Sequence, residues 1–172
     1  MKIRLAGLES HSSVNGPGVR FVIFTQGCPH KCNGCQNPET WDLLGGNEFD
    51  VLDLVSTIVN TKYIDGVTLS GGDPFYQGEA ILELCKLLKE RGVESIWAYS
   101  GWTFEQLSSG QVSSQAKEAL NYIDVLVDGP FILSRLDENC LFRGSNNQRL
   151  IDVKGSLSLG KIVEVSELDF GL

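Results

Sequence analysis

Apolar residues in this chain fall into short unbroken runs, and between them stretches where they recur every three or four positions. Arg20–Thr25 (RFVIFT), Gly66–Leu69 (GVTL), Glu94–Ser100 (ESIWAYS) and Ile123–Val127 (IDVLV) have the length and composition of buried strands. The helical period governs Val51–Val59, with Asp50 placed to cap it. It also governs Glu79–Arg91, where Ile81, Leu84, Cys85 and Leu88 share one face and Gly92 ends the run. Ser113–Tyr122 predicts a third helix, and Leu150–Val153 and Lys161–Val165 are weaker strand candidates. No stretch has the composition of a linker.

Repeated strand–helix units predict an α/β fold with a mainly parallel sheet and right-handed crossovers. A closed eight-unit barrel takes about 250 residues. The 172 residues here predict a single domain, 1–172, built as an open, incomplete (β/α) barrel. A flavodoxin-like open sheet is the alternative, because periodicity does not fix curvature. Loops that bear function in such sheets lie beyond the carboxyl ends of the strands. Here those ends carry a cysteine loop, SGGDP, YSG and DGPF, which are expected to converge on one site.

Charge and composition narrow the function class. A net charge of −8 argues against a nucleic-acid partner, since phosphate selects for basic surface. No run of about 18 apolar residues predicts a membrane span. The start of the chain, MKIRLAGLESHSS, lacks the apolar stretch of a signal peptide, so a cytoplasmic protein is expected. Five cysteines, three of them clustered, do not form a secreted disulfide framework. Cys85 reads as a small core residue, and Cys140 lies in a polar segment.

The clustered three, Cys28, Cys32 and Cys35, stand in GCPHKCNGCQNPETW. Three thiolates at this spacing can hold an iron–sulfur cluster and leave one iron without a protein ligand. A small molecule can occupy that iron, the arrangement used by radical S-adenosylmethionine (SAM) enzymes. A structural zinc site with His30 as fourth ligand is the competing reading. In Ser70-Gly71-Gly72-Asp73-Pro74 the paired glycines serve either a tight turn or a close approach of backbone to a ligand. Trp41, Trp97 and Trp102 read as packing residues. Asp128 is placed to cap a following helix.

GCPHKCNGCQNPETW, TLSGGDPF, AYSGW, IDVLVDGPF and FRGSNNQRLIDV occur in that order. Together they resemble the activating proteins of anaerobic (class III) ribonucleoside-triphosphate reductases, from about Asn15 to Val153. Members of that family are small radical SAM proteins that install a glycyl radical in the reductase. The resemblance implies a radical SAM type of partial barrel and a [4Fe-4S] cluster on Cys28, Cys32 and Cys35, with SAM on the fourth iron. It implies that Gly71, Gly72 and Asp73 position the aminoacyl end of SAM. Gly34, Cys35 and Gln36, with Tyr99 and Ser100, are the candidates for its nucleoside end. Flavodoxin or a similar donor would supply the electron, and the reductase is the protein substrate. Arg143, Asn146, Asn147 and Arg149 are candidates for lining the way in of that substrate; a turn of backbone-capping polar residues is the other reading. Gly34 stands where most radical SAM proteins have an aromatic residue against adenine. Asn15 replaces an aspartate found in many other glycyl-radical activators. An activase of another glycyl-radical enzyme, a small-molecule radical SAM enzyme and a zinc-binding module are the alternative functions. The tail, 154–172, extends past the resemblance and receives no role.

Overall fold

A computed structural model describes residues 1–170. It comprises strands β1 (Lys2–Ser12), β2 (Arg20–Thr25) and β3 (Asn47–Asp50), then helix α1 (Val51–Asn60), β4 (Gly66–Gly71) and α2 (Gly78–Glu90). Next come β5 (Ile96–Tyr99), α3 (Phe104–Ser108), α4 (Ser114–Ala119), β6 (Val125–Asp128), β7 (Arg149–Asp152) and α5 (Val153–Leu159). The strands form one open seven-stranded sheet in the order β3-β1-β2-β4-β5-β6-β7.

The sheet is only partly parallel, which corrects the mainly parallel expectation. β2, β4, β5 and β6 pair in parallel, while β1 pairs antiparallel with both β2 and β3, and β7 pairs antiparallel with β6. The cause is connection type. Parallel neighbours need a crossover long enough to return the chain, usually a helix. β1 and β2 are joined by a short loop, and β6 reaches β7 with only a 3-10 turn, Leu133–Arg135, between them.

Side chains alternate across the sheet, as the pleat requires. Ile3, Leu5, Phe21, Ile23, Val67, Leu69, Ile96, Ala98, Leu126 and Ile151 join one buried cluster with the apolar faces of the helices. α2 contributes Ile81, Leu84, Cys85 and Leu88, the face its sequence period assigned, and Gly92 follows at a left-handed φ of 87°. Burial pushes the Cys85 thiol up to about 12, so it is an inert core group. Asp50 caps α1 by accepting from the Leu52 amide. On the other face of the sheet, Trp97, Val125, Val127 and Leu150 form a second cluster, joined by Tyr99, Phe142, Val165 and Phe170. Arg20 is buried on that face, donating to Thr68 Oγ1 (3.1 Å), Ser95 Oγ (2.9 Å) and the Val67 carbonyl (2.7 Å) and lying over the Trp97 ring.

Other elements differ from the periodicity reading. β1 and β3 were not legible as strands, and α3 is set by a capping box of Thr103 and Gln106 rather than by an apolar run. The 113–122 helix breaks after Ala119 into a 3-10 turn. Lys161–Val165 forms no strand; it makes one isolated bridge, Ile151 to Glu164. No helix among the described residues is long and apolar enough to cross a membrane.

Candidate cofactor site

Register brings the motifs together. Thr25 at the end of β2 pairs with Gly71 at the end of β4, and Leu69 pairs with Ala98, Tyr99 with Val127. The chain therefore leaves four parallel strands at nearly one level. The loops that follow enclose a cavity of about 390 Å³. Its wall includes Cys28, Cys32, Cys35, Gln36, Gly71, Gly72, Asp73, Tyr99, Ser100 and Arg143, each singled out in the sequence.

The cysteine loop is held by its backbone. Gly27, at φ 95°, donates to the Thr40 carbonyl (2.8 Å), and Cys35 donates to Cys32 O (3.1 Å) to close the turn between the last two cysteines. The Gln26 side chain donates to the Glu39 and Asp42 carbonyls from beneath. All three cysteines are free thiols and half-buried. Burial pushes the Cys28 thiol up, against backbone amides of His30 and Lys31 that favour the thiolate. Three soft donors on one cavity wall, with no disulfide among them, fit the protein side of an iron–sulfur cluster that leaves one iron free.

SGGDP lies directly on this loop. Gly72 donates to Thr25 O (2.8 Å) and Asp73 to Gly27 O (2.9 Å). A Cβ at Gly71 would sit 2.5 Å from the Thr25 nitrogen, and one at Gly72 would run into the Gly27 carbonyl. Both glycines are thus needed for contact between two backbones, the turn to the cysteine loop.

Asp73 ties the loops to one another. It is buried, and its Oδ2 accepts from His30 (2.7 Å), Ser100 Oγ (2.8 Å) and the Gly101 amide (2.9 Å). Its Oδ1 accepts from the Phe75 amide (3.0 Å). With four donors already engaged, Asp73 acts on a ligand by fixing the loops around it. His30 is held in turn against the edge of Trp102, with ring centroids 4.6 Å apart. Among the described residues no three His, Cys, Asp or Glu side chains are grouped so as to hold a single metal ion as they stand.

The remaining candidates divide. Tyr99 faces the cavity, and burial of its phenol pushes its pKa upward. Gly34, at φ 76°, lies beside the wall, and the Leu133 side chain fills the space its missing Cβ would take. Arg149 is not at the cavity: it bonds Asp128 (2.6 Å) and Glu105 (2.8 Å), bracing β7 to α3. Asp128 also accepts from the Phe104 amide (2.7 Å), so it caps α3, which precedes it, and not a helix that follows. Asn146 accepts from Arg135 Nε and Asn147 donates to the Pro130 carbonyl, bonds of a polar turn outside the cavity lining. Residues not singled out as ligand contacts but present on the wall include Asn15, Phe24, Phe131, Phe142 and Gln148. Phe142 and Gln148 lie within the FRGSNNQR motif, which was the available signal.

A family profile described as a 4Fe-4S single cluster domain matches residues 14–151, a span that contains every cavity residue. Curated relatives extend the match. The anaerobic ribonucleoside-triphosphate reductase-activating protein of Enterobacteria phage T4 is 40% identical over 142 residues, covering 80% of this chain and 86% of that protein. The chain belongs to the anaerobic ribonucleoside-triphosphate reductase-activating protein family. Its members of the same name in Vibrio cholerae and Escherichia coli K12 are 39% and 34% identical, over 78% of this chain in each case. Membership of this family, with its 4Fe-4S domain, agrees with an iron–sulfur role for the cysteine loop and leaves the zinc reading without support.

Proposed function

We propose that this protein activates an anaerobic ribonucleoside-triphosphate reductase by cleaving SAM at a [4Fe-4S] cluster held by Cys28, Cys32 and Cys35. Cys28, Cys32 and Cys35 would hold the cluster, which would supply one electron, taken from a flavodoxin-like donor, for reductive cleavage of SAM to methionine and a 5′-deoxyadenosyl radical. That radical would take a hydrogen atom from a backbone glycine of the reductase, giving 5′-deoxyadenosine and the glycyl radical.

The observation that carries this reading is the convergence of four strand-end loops on one cavity of about 390 Å³, one loop bearing three free cysteines on the cavity wall and another the glycine turn. The chain's part is placement and exclusion of water. The cysteine loop and SGGDP, bonded backbone to backbone, hold the cluster side rigid. Asp73 locks His30, Ser100 and Gly101 so that the walls do not drift apart. Backbone groups of Gly71 and Gly72 would meet the aminoacyl end of SAM, and Gln36, Tyr99 and Ser100 its nucleoside end. An open seven-stranded sheet suits a protein substrate, whose glycine segment would have to reach the same cavity. No residue is needed as general base.

The test is anaerobic reconstitution with iron and sulfide, followed by SAM, a one-electron reductant and the reductase encoded in the same genome. Methionine, 5′-deoxyadenosine and a glycyl-radical signal on the reductase are expected. Intact SAM, or one tightly bound zinc per chain in anaerobically prepared protein, would overturn the reading.

A further inference from the structure

The segment after α5 lies outside the span of the family profile, 14–151, yet it reaches the cavity wall. It first runs along β7: Asp152 donates to the Val163 carbonyl (2.8 Å) and Val165 to the Leu150 carbonyl (2.8 Å). Val165 and Phe170 then cover the Trp97 cluster, with Phe170 at 5.2 Å from the Trp97 ring. Between those two anchors stands Glu167. Its Oε1 accepts from the Leu141 amide (3.0 Å) and makes a close ion pair with Arg143, a residue of the cavity wall.

Arg143 is incompletely used in this arrangement. One Nη bonds Glu167, the other reaches the Gln148 carbonyl only at 3.4 Å, and Nε is buried without any partner. A buried donor left unpaired is destabilising, and native structures rarely tolerate one without a function. A planar guanidinium with donors to spare suits acceptors on a peptide, carbonyls or a carboxylate. The chain's own tail supplies one such acceptor, Glu167. An incoming protein segment would supply others at the same place.

We infer that residues 161–170 form an intramolecular latch: Glu167 occupies Arg143 until the glycine-bearing segment of the protein substrate displaces it. The inference rests on the function proposed above and adds to it a competitor for the substrate's own contact. Glu167 does not itself line the cavity, so it acts through Arg143, which does. Val165 and Phe170 stay on the Trp97 cluster in either state, and only the ion pair exchanges.

The test measures binding of the reductase to the cluster-loaded protein for wild type, Glu167→Gln, Arg143→Ala and the double variant. Glu167→Gln is preferred to truncation, because loss of Val165 and Phe170 would uncover the Trp97 cluster. Glu167→Gln should bind the reductase at least threefold more tightly, and Arg143→Ala at least fivefold more weakly. The double variant should match Arg143→Ala within twofold, since the latch works only through that residue. Weaker binding by Glu167→Gln would make the tail a fixed support, and unchanged binding would make the ion pair idle; either overturns the latch. Tighter binding of SAM in place of the reductase would overturn the choice of partner. Loss of SAM cleavage in the wild type would strike the proposed function, whereas equal reductase affinity of wild type and Glu167→Gln strikes the latch alone.

Discussion

The two sides of the cavity are built differently. On one side, residues 25–41 and 70–73 are joined through main-chain hydrogen bonds, Gly27 to Thr40, Gly72 to Thr25 and Asp73 to Gly27, with a spacing that admits no Cβ at Gly72. On the other, residues 129–148 are held mostly by side chains: Gln148 to Gly144, Ser145 and Gly129, Asn147 to Pro130, and Arg143 to Glu167. Main-chain bonds between packed loops leave little freedom, and side-chain bonds can be exchanged one at a time. The first wall is suited to a cofactor whose position has to be constant. The second is suited to a surface that must admit a protein segment.

The comparison breaks most visibly at the cysteines. Cys28→Ala, Cys32→Ala or Cys35→Ala should each abolish cluster assembly, read as loss of visible absorbance and of bound iron, because each removes one of the three proposed protein ligands. Cys85→Ala and Cys140→Ala should retain the cluster, as the first lies in the core and the second outside the cavity lining. A full iron complement in Cys32→Ala would show that the loop is not the cluster site.

Gly72→Val tests the rigid wall next. A valine there runs into the Gly27 carbonyl, so the cysteine loop has to move. Both the cluster yield and SAM affinity should fall severalfold. Reduced SAM affinity beside a fully retained cluster would mean that Gly72 faces the ligand rather than the neighbouring backbone.

Asp73→Asn should have a smaller effect. The amide cannot accept all the donors that Oδ2 and Oδ1 now accept, and a buried donor without a partner costs about 1–3 kcal/mol. At this chain length that corresponds to about 2–4 °C in melting temperature per kcal/mol. The variant's cluster should also be lost faster in air, through release of His30. An unchanged melt would remove Asp73 from its bracing role.

The smallest effect is expected on the second wall's outer brace. The Arg149 guanidinium holds Glu105 below the ordinary carboxylate range. A depressed folded-state pKa gives stability that is present above the unfolded value and is lost as pH falls through the folded one. Glu105 is largely exposed, so the pair contributes no more than about 1 kcal/mol. Glu105→Gln should therefore melt slightly below wild type at pH 7, with the gap closing in acid. A gap that widens in acid would reverse the sign.

Much of this was legible beforehand because it depends on local rules. Apolar runs marked β2, β4, β5 and β6, and the three-four period marked α2 down to the burial of Cys85. The cysteine spacing and the four loop motifs marked the cavity. What was not legible depends on partners distant in sequence. β1 exists because Ile3 and Leu5 find the core while its backbone pairs with both β2 and β3. Arg149 reads as a candidate for lining the substrate's way in until Glu105, 44 positions away, appears beside it. The role of Gly72 turned on Gly27, and the tail gained meaning only from Arg143.

The most direct measurement is the electron paramagnetic resonance spectrum of the anaerobically reconstituted, reduced protein before and after SAM is added. A cluster with one iron free of protein ligands should give a spectrum that shifts on SAM addition, with close to four irons per chain. A spectrum unaltered by saturating SAM, or no cluster signal in protein that retains Cys28, Cys32 and Cys35, would contradict the account.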